Sequence, residues 1–285
     1  MPPDREENPK SPFTLPEGIP KRKMAILDQI LDSVRATIPA LDSRVAEMAR
    51  RAEKMPAPQP FLGDAATRPT IAVISEVKRR SPSLGAINES LDPVTLAASY
   101  AAGGAAAISV LTEVAHFGGS VEDLSAVSRA VSLPVLRKDF ILAESQIVEA
   151  RTLGAAAVLL IVRALPGRAL EDLLTATRRW GLAALVEVHT HSELDRAIEA
   201  GAEIIGVNSR DLDTLVIDTE PAMELVASVP ADRVAIAESG MSSVADVELA
   251  ARAGADAVLI GSALAGSPDP ASLVKRFAGV ARRGR

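Results

Sequence analysis

An eightfold (β/α) barrel preceded by a helical segment is the fold this chain predicts, and three observations carry the prediction. From Thr70 onward, short and nearly continuously apolar runs alternate with Ala-rich helical stretches eight times, as strands covered on both faces do. A glycine followed by alanine and then a strand recurs at Gly104, Gly154, Gly201 and Gly254, at intervals of 50, 47 and 53 residues. Each interval spans two βα units, and glycine suits the left-handed residue just past a helix C-terminus. The rival open sheet would carry a G-x-G-x-x-G after its first strand or a G-x-x-x-x-G-K, and neither is present.

Taken in order, residues 1–20 (MPPDREENPKSPFTLPEGIP) are rich in proline and charge and read as a flexible arm. Residues 21–55 read as a helical extension, with Ile26, Leu27, Ile30, Leu31 and Val34 on one apolar stripe. Pro39 is expected to interrupt that helix, and a second piece with Val45 and Met48 to follow it. Residues 56–69 read as a connector. The eight strands are IAVISEV, AAISVLT, LPVLRKD, AAVLLIV, AALVEV, EIIGVN, RVAIAES and DAVLIGS. Residues 21–285 thus form a single barrel domain with its extension. At 285 residues the chain is long enough for one such core.

Composition narrows the function. There are no cysteines, which excludes disulfides, thiolate metal sites and cysteine nucleophiles. Three histidines, His116, His189 and His191, make an all-histidine metal site a poor prospect, and no metal or cofactor is expected. Lys+Arg 31 against Asp+Glu 37 gives a net charge of −6, with 2% aromatics; neither suits nucleic-acid binding. The longest apolar run, Ala155–Val162, is far short of the roughly 20 residues of a membrane span. The N-terminus lacks an apolar signal core. A soluble cytoplasmic protein, monomeric or weakly homo-oligomeric, is the expectation.

In such barrels the C-terminal strand ends carry function. Here they offer Glu76 and Lys78, Glu113, Lys138 and Asp139, Arg163, Glu187 and His189, Asn208 and Arg210, Glu238 and Ser239, and Gly261 and Ser262. Between Lys54 and Lys275 the chain uses lysine only at Lys78 and Lys138. Both are strand ends, where a proton can move from an ammonium but not from guanidinium. Glu187, flanked by Val186 and Val188, faces the barrel axis if the valines face the helices. A carboxylate there must be paired, with Lys138 or Lys78 as partner, or catalytic. Glu76 faces the same way as Lys78. AESGM (237–241) and LIGSAL (259–264) each place Gly and Ser before a helix start, which suits a phosphate held by backbone N–H groups; helix capping by Ser239 or Ser262 is the plainer alternative. His189 and His191 read as a solvated loop or helix start.

ISEVKRRSPS (74–83), LTEVAHFGGS (111–120), LRKDF (136–140), ESQIVEARTLGA (144–155), LVEVH (185–189), GVNSRDL (206–212), AESGM and LIGSAL together resemble the indole-3-glycerol phosphate synthase family, over nearly the whole chain beyond the arm. The resemblance implies a barrel that closes the indole ring of tryptophan from 1-(2-carboxyphenylamino)-1-deoxyribulose 5-phosphate. It releases carbon dioxide and water without a cofactor. It also implies catalytic roles for Glu76, Lys78, Lys138, Glu187, Asn208 and Ser239, with Glu238 beside them. Phosphate contacts fall on Lys78, Ser81, Gly240, Gly261 and Ser262. Arg210 falls near the substrate carboxylate, and Phe117, Phe140, Leu159 and Leu215 fall on the ring. Leu84 and Val114 depart from the family pattern, which often has lysine and proline there. The residues leave open which lysine acts in which step. Two other readings stand beside this one: a Schiff-base aldolase using Lys138, and a non-catalytic sugar-phosphate-binding barrel.

Overall fold

The computed structural model describes residues 25–81, 85–88 and 90–285. The arm at 1–20, the start of the extension at 21–24 and Leu84 lie outside the described residues.

Eight parallel strands close into one barrel: β1 (Ala72–Val77), β2 (Ala107–Leu111), β3 (Val135–Lys138), β4 (Ala157–Ile161), β5 (Ala183–Val188), β6 (Ile204–Asn208), β7 (Val234–Glu238) and β8 (Ala257–Ile260). Each pairs with its sequence neighbours, and β1 pairs with both β2 and β8 to close the ring. Alternation along the strands sorts the side chains. Ile74, Leu136, Leu185 and Ile236 fill the interior, whereas Val73, Val186, Ile205 and Val258 face the helices. Both faces are buried, so the strands read as unbroken apolar runs. Two residues beyond each of those four interior positions stand Glu76, Lys138, Glu187 and Glu238. The pleat therefore turns all four charges inward, one layer above an apolar floor.

The outer layer comprises α3 (Pro93–Ala102), α4 (Val121–Ala130), α5 (Glu144–Thr152), α6 (Ala169–Arg179), α7 (His191–Glu199), α8 (Thr219–Ala227), α9 (Val244–Arg252) and α11 (Pro270–Ala278), with the one-turn α10 (Ser262–Ala265) after β8. The glycine repeat marks helix ends, as expected. Gly104, Gly154, Gly201 and Gly254 have φ of 90, 88, 80 and 97°. The alanine after each donates its N–H to a carbonyl five residues back, for instance Ala105 to Tyr100 at 3.1 Å and Ala255 to Ala250 at 3.0 Å. This is the Schellman closure, and it explains why the repeat is Gly-Ala.

The N-terminal extension holds α1 (Ile26–Asp42) and α2 (Val45–Ala52). Leu27, Ile30, Leu31 and Val34 are buried, as the stripe predicts. Pro39, expected to interrupt the first helix, sits inside its last turn instead. It is exposed, and so is Arg35, whose carbonyl loses its partner to the proline; water can satisfy that group. The break falls after Asp42. Residues 56–69 do more than connect. Phe61, Leu62 and Ala65 are buried in the same apolar cluster as the barrel interior.

Candidate active site

All sixteen residues singled out as catalytic or substrate-binding line one cavity of about 670 Å³ at the C-terminal mouth of the barrel. The strand ends contribute Glu76 (β1), Lys138 (β3), Leu159 (β4), Glu187 (β5), Asn208 (β6) and Glu238 (β7). The loops that follow them add Lys78, Ser81, Phe117, Phe140, Arg210, Leu215, Ser239, Gly240, Gly261 and Ser262. Of these sixteen, three carboxylates and three cations thus share one cavity.

Two ion-pair clusters organise the polar wall. Lys138 Nζ donates to Glu187 Oε2 at 2.8 Å and to Glu238 Oε2 at 3.0 Å. Of the two partners offered for Glu187, the structure selects Lys138. Lys78 Nζ lies 2.8 Å from Glu76 Oε1. The carboxylates are essentially buried, with side-chain exposures of 4% or less, while the lysines keep 12–15%.

Burial and charge set the protonation states. Burial disfavours the Lys138 ammonium, but Glu187, Glu238 and Glu76 outweigh it and hold the lysine protonated far above neutrality. Burial likewise raises Glu187, yet Lys138, His189 and the Asn208 amide bring it well below the ordinary carboxylate value. Glu238 has Lys138 alone against burial and the neighbouring Glu187, and is pushed up to about 7. Arg210 N–H donates to Asn208 Oδ1 at 3.0 Å, so the amide's donor end is the one available to Glu187.

The cavity also has an apolar lining. Phe117 and Phe140 meet with ring centroids 6.2 Å apart, beside Leu159, Leu215 and Leu111. Leu27 and Ile30 of α1 also line the cavity. The sequence shows these residues only as part of an apolar stripe, and their part in the site was missed. Gly206 was missed as well. A side chain there would overlap Glu238 Oε1, so the glycine makes room for the carboxylate; its place in GVNSRDL was the available signal.

At the loops after β7 and β8, Ser239 and Gly240 have consecutive positive φ of 65 and 76°. A non-glycine in that region is strained, and Ser239 lines the cavity where the strain is held. Neither Ser239 nor Ser262 is a helix N-cap: Ser243 caps α9 and Gly261 precedes α10. The capping alternative therefore does not account for them.

Four rim residues need separate placement. Asp139 lines the cavity but accepts from Thr112, Arg137 and its neighbour Phe140. Glu113 is turned away to accept the N–H groups of Ala115, His116 and Phe117. Arg163 pairs with Glu193 and Asp211. His189, expected in a solvated loop or at a helix start, directly precedes the N-cap of α7 and has a side chain only 5% exposed, set between Glu187 and Glu193; two carboxylates make burying it tolerable. His191 opens α7 and is exposed, as expected. Among the described residues no group of three His, Asp or Glu side chains could hold a metal. No helix among them is long and apolar enough to cross a membrane.

The family model for indole-3-glycerol phosphate synthase matches residues 27–277. The chain is 52% identical over 253 residues to the indole-3-glycerol phosphate synthase of Rhodococcus opacus (strain B4), covering 88% of this chain and 94% of the relative. It is 51% identical over 251 residues to that of Mycolicibacterium gilvum (strain PYR-GCK), covering 87% and 92%. Among solved structures, a 3-hexulose-6-phosphate synthase superposes with a TM-score of 0.60 at 17% identity, over 74% of this chain and all of that one; this likeness speaks to the barrel alone. The chain belongs to the indole-3-glycerol phosphate synthase family.

Proposed function

We propose that this cavity converts 1-(2-carboxyphenylamino)-1-deoxyribulose 5-phosphate to indole-3-glycerol phosphate, with the phosphate at the Gly240, Gly261 and Ser262 end and ring closure at the Lys138 end. The observation that carries the assignment is the Lys138 ammonium bridging Glu187 and Glu238 in a cavity also lined by the Phe117–Phe140 pair.

The substrate's aromatic ring rests on Phe117, Phe140 and Leu159, and Arg210 faces its carboxylate. The ring carbon bearing that carboxylate attacks the ketone carbon. Lys138 protonates the ketone oxygen as it becomes an alkoxide, a base strong enough to take a proton from a tightly held ammonium. The nitrogen is then cationic, and Glu76 stabilises it. Carbon dioxide departs, and its bonding pair restores the aromatic ring. In the last step the new hydroxyl leaves as water with acid help from Lys78. Glu187 removes a proton from the methylene carbon to form the indole double bond. Asn208 orients Glu187, and Ser81 joins Lys78 at the phosphate end. Ser239 and Leu215 shape the loops around them.

A Schiff-base mechanism requires a neutral amine. Lys138 sits between two carboxylates that keep it protonated, which weighs against the aldolase reading. Purified protein mixed with the named substrate should produce indole absorbance and fluorescence together with carbon dioxide. Binding without turnover would leave only the sugar-phosphate-binding barrel. The ligand class is a phosphorylated small molecule, and we propose a cytoplasmic enzyme that works as a monomer or weak homo-oligomer.

A further inference from the structure

His189 stands two residues beyond Glu187, on the same side of the chain, and lies outside the cavity lining. Its Nε2 is 3.6 Å from Glu187 Oε1, the oxygen that Lys138 does not use. Its Nδ1 is 3.4 Å from Glu193 Oε2, and its backbone N–H donates to the same oxygen at 2.7 Å. Glu193 lies in the first turn of α7, and its other oxygen accepts from Arg163 Nε at 3.2 Å. Arg163 Nη1 in turn reaches Asp211 Oδ2 at 3.2 Å. Asp211 folds the loop between Arg210 and Leu215 by accepting from Thr214 N–H at 2.7 Å. A line of alternating charge thus runs from Glu187, behind the cavity wall, to the loop that carries Arg210.

We infer that His189, as an imidazolium clamped between Glu193 and Glu187, is a positioning residue that keeps Glu187 ionised and fixed as the base. The inference rests on the assignment of Glu187 to proton removal. The groups facing His189 and Glu187 come from every neighbouring element. They are Glu193 on α7, Arg163 after β4, Lys138 on β3, Asn208 on β6 and Glu238 on β7. Burial and Arg163 oppose the imidazolium, but Glu193 and Glu187 prevail and raise His189 above its ordinary value. The separations of 3.4 and 3.6 Å are charge contacts rather than good hydrogen bonds. Such contacts tighten on substrate binding in many active sites.

Only three histidines occur in the chain, so a nuclear magnetic resonance titration can follow the His189 ring in the intact wild-type protein. His189 should titrate above the ordinary value of about 6.5. It should fall in Glu187→Gln and again in Glu193→Gln, because charge coupling is reciprocal. In kinetics, His189→Gln should lower kcat about tenfold and move the acid limb of its pH profile to higher pH, since an opposite charge beside a carboxylate shifts its ionisation by about one unit or more. KM should stay within about threefold, because His189 itself does not line the cavity and reaches it only through Glu187. Glu193→Gln should move the limb the same way, and the double variant should be no worse than the poorer single, as residues acting through one chain are not additive. A His189 titration unmoved in Glu187→Gln overturns the inference even if His189→Gln does not fold. So does a His189→Gln enzyme with unchanged kcat and pH profile. If Glu187→Gln abolishes turnover while those results hold, the base assignment survives and only the role of His189 fails. If Glu187→Gln is fully active, the base assignment itself fails.

Discussion

Lys138 Nζ and Glu238 Oε2 lie 3.0 Å apart although 100 residues of chain separate them. One ammonium therefore serves two buried carboxylates, and it cannot compensate both equally. Glu187 has further help from His189 and Asn208. Glu238 does not, and its pKa rises to about 7.

That asymmetry predicts a pH signature in stability. The folded value of Glu238 exceeds the ordinary value, so between about pH 4.5 and 7 the folded state holds more proton than the unfolded one. The contribution is fully present below the unfolded pKa and is lost as pH rises through the folded pKa. Glu238→Gln is a neutral isostere that does not titrate. Its Tm should gain on the wild type as pH is raised from 5 to 8, in thermal melts recorded across that range. A wild-type advantage that grows toward pH 8 would show Glu238 ionised and well compensated.

Gly206 sets where that carboxylate can sit. A methyl group there overlaps Glu238 Oε1 and comes within 3.0 Å of Leu185 Cδ1. Gly206→Ala should displace Glu238 from Lys138 and lower kcat by about a hundredfold, the scale of a misplacement near 1 Å. The fold should persist, because the clash falls on a side-chain end. Steady-state kinetics alongside circular dichroism decides it; near-wild-type kcat would mean Glu238 has room to spare.

Anchoring can be probed apart from chemistry at Ser262 but not at Gly261. A Cβ at Gly261 overlaps Glu76 Oε1 and lies 3.0 Å from Lys78 Nζ. Gly261→Val therefore disturbs the Glu76–Lys78 pair together with any phosphate. Ser262→Ala removes one hydroxyl and leaves both pairs intact. A charge-assisted hydrogen bond is worth about 1.5–3 kcal/mol, so KM should rise about tenfold or more with kcat nearly unchanged. An unaltered KM would remove the Ser262 hydroxyl from the phosphate site.

The legible part of this molecule was what period and spacing encode. Alternation around Glu187 gave its inward direction, the scarcity of lysine singled out Lys138 at a strand end, and the Gly-Ala pairs gave four helix ends. Pro39 misled because it falls in the last turn of α1, where little helix remains to disrupt and the freed Arg35 carbonyl is exposed to water. The stripe of α1 named the right residues, but a pattern cannot tell a helix that faces core from one that also roofs a cavity, as Leu27 and Ile30 do. The burial of the His189 ring, at a position that reads as a solvated loop or helix start, is not legible in sequence because its partner Glu193 joins it only when α7 folds back on β5. Glu113 and Arg163 stand at strand ends and yet serve loops, which side-chain direction past the last pleat decides and sequence does not.

In the proposed reaction Lys138 gives up a proton rather than only supplying charge. Lys138→Arg separates the two roles, because arginine keeps the charge between Glu187 and Glu238 but does not act as an acid. Under single-turnover conditions with the substrate prebound, the chemical step should slow by about 10²–10⁴-fold, the usual worth of a general acid, while substrate affinity is retained. An arginine variant that keeps more than about a tenth of the wild-type rate, on that same scale, would rule out the acid role and leave Lys138 as an electrostatic contact.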